Sequence, residues 1–339
     1  MKIPELRIKI KDYTKEDLAT LVTELYKAIP KAMREERNLD ALINDINQYK
    51  TVPASKRIAD KDVVINVEEI ETFISNAEEQ YYQFPNKIVS KQERPKWRFK
   101  VRAWHRDLLI AIKQNPDDIK LYGELLQKLF VLMCKAQSGV IFNTTEPFNS
   151  IGIEAEVFLE NILHITHSYQ TPDEFVNNAI SISWNLWDTS STTIAFFKQY
   201  GYLEMGIEKT IAIWEKYETD YQTKLSAYNA LKPKERKNMY PPREYDYTSI
   251  QNTLADFIIL HYKALEDVEE IVTATKKYHK HSPEVILYIL VSNLLATGEG
   301  DVIVREITAA EQQGVKPRAS LLSVKEQILL TGEVPRFIR

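Results

Sequence analysis

Between Arg94 and Arg106 the stretch RPKWRFKVRAWHR sets six cationic side chains (Arg94, Lys96, Arg98, Lys100, Arg102, Arg106) and three large aromatics (Trp97, Phe99, Trp104) within thirteen positions. Cations at short intervals with rings between them could grip an anion or a phosphate backbone. Basic residues at every even position from Arg94 to Arg102 would suit a strand. Against that, Trp97, Val101, Trp104, Leu108 and Ile112 recur with a helical period, and Pro95 suits a first turn rather than the middle of a sheet. The spacing therefore predicts a helix on which Arg94, Arg98, Arg102 and Arg106 stack at steps of four beside a tryptophan stripe. Cations at a helix N-terminus oppose its dipole by a few tenths of a kcal/mol each, so something must compensate. One account pairs them with acids of a neighbouring helix, NVEEIETFISNAEEQ, with the tryptophans in the core and arginine stems lying on the rings; this is the expectation. The other makes Arg94, Lys96, Arg98, Arg102 and Arg106 an anion or nucleic-acid contact.

Other residue sets are weaker. Glu160, His164 and His167 in VFLENILHITHSY sit at helical spacings, yet they match neither the Glu-x-x-His pairs of di-iron bundles nor the His-Glu-x-x-His zinc pattern. Packed, hydrogen-bonded histidines are the expectation there. His279 and His281 in KKYHKHSPEV could chelate from an extended backbone, and a polar turn explains them as well. Serines and threonines in WNLWDTSSTTIAFF lack a Gly-x-Ser-x-Gly elbow, and Asp188 to Thr193 reads as a turn with an N-cap. Neither a P-loop nor a Gly-x-Gly-x-x-Gly turn is present. No catalytic residue, cofactor site or metal site is assigned. Residues 230–249, ALKPKERKNMYPPREYDYTS, read as the longest non-helical segment. Its Tyr240, Arg243, Tyr245 and Tyr247 have the composition of a partner-binding loop, with prolines to limit the entropy lost on contact; a plain connector fits equally.

These residues need elements to hold them, and composition says which. Nine glycines in 339 residues lie well below the usual share of about 7%, so hairpin turns and phosphate-cradling turns are scarce and helices are favoured. A net charge of −4 argues against the whole chain being a non-specific nucleic-acid or membrane binder. The single cysteine, Cys134, cannot form an intrachain disulfide, and no apolar run approaches a membrane span. The charged opening MKIPELRIKIKDYTKEDL lacks a signal-peptide core. A cytoplasmic protein without membrane attachment is expected.

Apolar spacing is helical nearly throughout. Leu18, Leu21, Val22, Leu25 and Ile29 form a stripe behind a Thr14 cap; Leu39, Leu42, Ile43 and Ile46 form a second; Val67, Ile70, Phe73, Ile74, Ala77 and Tyr81 a third. Tyr122 to Met133 is apolar around much of its girth, which implies cover on several sides. Later stripes run through Phe175 to Trp187, Ile207 to Trp214, Ile250 to Leu265, Val285 to Leu294 and Ile303 to Ala310. NPDD at 115, TPDE at 171 and SPEV at 282 each offer a cap, a proline and an acid, so three helices should start there.

The segment DYTKEDLATLVTELYKAIPKAMRE resembles openings seen in uncharacterised bacterial all-helical proteins, and the paired helices resemble HEAT- and armadillo-type solenoids at the level of fold. The reading is an all-α chain, a multi-helical array of helical hairpins forming a solenoid-like α-α superhelix, rather than a compact bundle. Soft boundaries near 90 and 240 give regions 1–90, 91–240 and 241–339, or one continuous array. The functional expectation is a non-enzymatic scaffold that binds a protein partner, the alternative a nucleic-acid-associated helical-repeat protein using the basic 94–106 helix, and a third reading an enzyme with a carboxylate and histidine site near Glu160, His164 and His167.

Overall fold

The structure is a computed structural model that describes residues 5–6, 9–30, 34, 39–45, 63–183, 189–236 and 240–338. All regular structure among them is helical. The chain divides into two units, Met1–Val64 and Ile65–Arg339.

In the first unit, α1 (Lys15–Ala28) starts where expected: the Thr14 hydroxyl accepts from Asp17 N, and the Asp17 carboxylate accepts from Thr14 N in return. Its stripe is formed but not buried, with Val22 and Leu25 51% and 56% exposed. Helix α2 (Leu39–Asn44) meets α1 through the Tyr26 hydroxyl, which donates to Asp40 at 2.5 Å. Ile46 lies outside the described residues.

Among the described residues the second unit holds six consecutive helical pairs. Helix α3 (Val67–Glu78) pairs with α4 (Trp97–Gln114). Helix α5 (Ile119–Ala136) pairs with α7 (Ala155–His167) across the one-turn α6 (Pro147–Ile151). Then come α8 (Pro172–Ser183) with α9 (Ser190–Tyr200), and α10 (Leu203–Ala230) with α12 (Glu244–Leu265), the short α11 (Pro233–Arg236) between them. The last two pairs are α13 (Val268–Tyr278) with α14 (Pro283–Leu295), and α15 (Gly300–Gln312) with α16 (Ala319–Thr331).

Side-chain links sort these pairs into two layers. First members touch first members. Glu71 and Glu78 of α3 pair with Lys128 and Lys135 of α5 at 2.8 and 2.6 Å. The Gln127 and Asn178 amides exchange hydrogen bonds between α5 and α8. Asp173 of α8 pairs with Lys209 of α10, Trp214 Nε1 of α10 donates to the Tyr278 carbonyl closing α13, and Arg305 of α15 grips Glu269 of α13. Second members touch likewise: the His105 ring (α4) lies 4.3 Å from Phe158 (α7), His164 (α7) meets Phe196 (α9), and Phe197 (α9) meets His261 (α12). Lys263 of α12 then reaches Asn293 of α14, and Arg318, which caps α16, forks onto Glu284 of α14. The result is an all-α array in which consecutive helices pack on their neighbours.

Local chemistry accounts for the elements and for the differences from expectation. Helix α5 touches α3, α4, α6 and α7 and buries residues on most sides, as its girth implied. Two helical glycines mark tight crossings. A methyl group on Gly206 would sit 2.3 Å from His261 Nε2, and one on Gly123 would sit 2.9 Å from Ile165 Cγ2. The three proline start signals all stand at helix starts, but Asn115 leads first into a 3-10 turn, Pro116–Asp118, and only Thr171 uses its side chain as a cap. Helix α3 stops at Glu78, short of Tyr81, because Gln80 turns left-handed and Tyr81 N bonds back to Asn76 O. Asp188, Leu186 and Trp187 fall outside the described residues. Ser190 to Thr193, expected in a turn, already belong to α9; Ser190 and Thr193 are buried, with the Thr193 hydroxyl bonded to that of Ser183.

The segment 230–249 is not one long loop. Helix α10 runs to Ala230, α11 adds a turn, and α12 begins at Glu244. Pro241 and Pro242 hold the chain extended before it, and Glu244 and Asp246 then favour the positive helix end.

Candidate functional site

On α4 the expected register holds. Trp97 stacks on Phe142 with ring centroids 4.0 Å apart, Trp104 meets Phe73 edge-on at 4.9 Å, and Val101, His105 and Leu108 are buried. The expected pairing of the arginine ladder with α3 does not form. Lys100 takes the α3 acid instead, 3.1 Å from Glu69. Glu71 and Glu78 are engaged by α5. Geometry explains this: at about 100° per residue, burying Val101, His105 and Leu108 turns Arg98, Arg102 and Arg106 outward around Phe99. Those three arginines are exposed. Among the described residues Arg98 and Arg102 have no acid in ion-pair range; the Arg98 guanidinium lies 4.9 Å over the Phe99 ring, and Arg102 lies beside Gly152. Arg106 bonds its neighbour Asp107, Lys96 bonds Glu93, and Arg94 is half-buried with Nε donating to Val89 O. The five candidate cations thus divide between local ties and an open face.

Lys100 also borders two adjoining clefts of about 310 and 270 Å³ that share Asn76 and Tyr82. Burial, followed by the nearby Glu93 and Glu69 charges, pushes the Tyr82 phenol up to about 12. It is a neutral donor at physiological pH.

A larger groove, about 510 Å³, runs between α3 and α5. Ile74, Val131 and Leu132 give it an apolar floor, while Ser75, Glu124 and Gln127 add polar edges. The ion pairs Glu71–Lys128 and Glu78–Lys135 rise seven residues apart on both helices, so α3 and α5 run parallel and the pairs form two rungs across the groove. Sequence reasoning missed this site. Its signal was present as two acids and two lysines each at a spacing of seven, but nothing in the sequence says which helices become neighbours.

The four residues read as a partner loop separate. Tyr240 and Tyr245 are 93% and 78% exposed, and Arg243, also exposed, caps α12. Tyr247 is fastened to α10: its hydroxyl donates to Asp220 at 3.1 Å and accepts from Lys224 at 2.9 Å. His164 faces Glu160 at 3.9 Å on the surface, whereas His167 Nε2 bonds the Tyr202 hydroxyl within a ring cluster of Phe175, Phe196 and Tyr200. The described residues hold no group of three or more His, Cys, Asp or Glu poised for a metal ion. His279 is buried beside Asp256, 3.4 Å away, and its ring stacks on His281. No described helix is long and apolar enough to cross a membrane.

Comparison with protein-family models, with curated proteins and with solved structures finds no match.

Proposed function

We propose that this chain is a non-catalytic scaffold of helical hairpins that docks an amphipathic helix of a protein partner in the groove between α3 and α5. The observation that carries the reading is the groove itself: an apolar floor of Ile74, Val131 and Leu132 between two parallel helices, with flanking charges already paired. A helix laid there buries its i, i+3, i+7 face on that floor in exchange for the two rungs, which are about half exposed and so cost little to displace, and this apolar burial is how helix-in-groove recognition gains affinity. Exposed Tyr240 and Tyr245 offer a second contact of the type that anchors interfaces. On this reading the layers wind as in HEAT- and armadillo-like solenoids, and the protein works in the cytoplasm. Support for that compartment is the single cysteine, Cys134, which is free and has no second cysteine in the sequence to form an intrachain disulfide.

The test is affinity capture with wild type, with Ile74→Asp/Val131→Asp, and with Tyr240→Ala/Tyr245→Ala, each checked for an unchanged helical dichroism spectrum. A partner lost only from the groove variant supports the proposal. A partner held equally by wild type and groove variant overturns it, as does recovery of none by wild type. Deleting 230–249 would be a poor substitute, because it removes turns of α11 and α12.

A further inference from the structure

We propose that the outer face of α4 is a second, independent binding surface, for single-stranded nucleic acid, with Arg98 and Arg102 on phosphates and Phe99 as a stacking platform. Positive charge is concentrated here: residues 84–106 hold eight Lys and Arg against one carboxylate in a chain of net charge −4. The fold leaves the centre of this charge open. Phe99 is 60% exposed, and Arg98 and Arg102 beside it lack an acid in ion-pair range among the described residues. An exposed ring between unpaired arginines is the pairing that single-strand binders use, since every base has a face to stack and every nucleotide a phosphate.

The shape argues against the other anionic partners. Arg98 to Arg106 spans only about 12 Å of helix, too short for the six or more phosphate contacts of a typical duplex binder. A flat anionic bilayer meeting this face would also approach α7, the neighbour through His105 and Phe158, whose Glu156 and Glu160 are exposed. A narrow strand lying along α4 avoids them. The surface belongs to the opposite layer from the α3–α5 groove, so either could fail without the other.

The experiment is fluorescence anisotropy of a labelled thymidine oligomer of about twelve nucleotides, titrated with full-length protein at about 50 and about 200 mM salt. Wild type is expected to bind at the lower salt and weaken at the higher. Arg98→Ala/Arg102→Ala should weaken binding and flatten the logarithmic salt slope by about 1.4, two phosphates at about 0.7 each. Phe99→Ala should weaken binding about fivefold or more with the slope unchanged. Lys216→Ala/Lys316→Ala, equal in charge removed and exposed elsewhere, should bind as wild type. Absence of wild-type binding at low salt overturns the proposal. So does an equal loss in the Lys216/Lys316 variant, or tighter binding to phosphatidylserine vesicles or a poly-glutamate peptide than to the oligomer.

Discussion

The side chains that decide most about this molecule are small or neutral ones at helix crossings. Gly206 lets α10 approach His261 so closely that a methyl group there would fall 2.3 Å from Nε2 and 2.9 Å from Phe197, both buried. Gly206→Ala should therefore cost about 2 kcal/mol or more as overpacking, read as a lower urea midpoint, whereas Gly201→Ala, with nothing within 4 Å but a φ of +74°, should cost only about 1 kcal/mol. His105 and His261 are held neutral by burial, each lowered to about 4, with the hydrogen bond to the Phe257 carbonyl opposing the shift at His261. Unfolded, both titrate near about 6.5. Between roughly pH 6.5 and 4 the unfolded chain thus binds protons the folded chain refuses, and stability must fall as pH drops through that window and stay level above it. The slope is about 1.4 kcal/mol per pH unit for each histidine once below 6.5. Urea midpoints from pH 7 to 4.5 check this, and His105→Phe should remove about half the decline. The register of α4 was legible in Trp97, Val101, Trp104 and Leu108. The destination of its arginines was not, because the period gives a side chain's direction around its own helix and not the identity of the helix it meets.

Helices were easiest to foresee where one face is apolar and the rest is polar, and hardest where that contrast blurs. Helix α16 went unrecognised: it buries Leu321, Val324 and Ile328, but Leu322, Leu329 and Leu330 are exposed, so apolar residues ring the helix and hide the stripe. Prolines and charge made 230–249 look like one loop, although Pro233 opens α11 and Pro241 and Pro242 stand before the α12 cap and leave the helix after them intact. Between elements, exposed and buried ion pairs should behave differently. The rungs from Lys128 and Lys135 are about half exposed at both ends, so Lys128→Ala/Lys135→Ala should shift stability by under about 1 kcal/mol per rung. Glu306 is only 6% exposed and is held by Lys276 and Arg305. Removing both cations strands a buried carboxylate, so Lys276→Ala/Arg305→Ala should cost about 3 kcal/mol or more. Glu306→Gln, which leaves two half-exposed cations, should cost clearly less. Denaturant titration of the two variants side by side decides it.

Across the second unit, the links that skip from each helical pair to the next define the architecture. Carboxylate to lysine, amide to amide and indole to carbonyl join one layer, while rings, an amide and a bidentate arginine join the other. The all-helical class was legible from glycine scarcity and apolar spacing. The layering was not, since the first-layer helices start at Val67, Ile119, Pro172, Leu203, Val268 and Gly300, too unevenly to show a repeat. The groove proposed as the docking site exists only if α3 and α5 are neighbours in that layer. Zero-length carbodiimide cross-linking joins an amine only to a carboxylate in direct contact, so mass spectrometry of the treated monomer tests this most directly. The expected products are Lys128–Glu71, Lys135–Glu78, Lys209–Asp173 and Lys276–Glu306 peptides, all lost when the lysine of each pair is changed to Ala. Cross-links joining Lys128 and Lys135 to acids of any helix other than α3, with none to Glu71 or Glu78, would contradict the layered array and the groove with it.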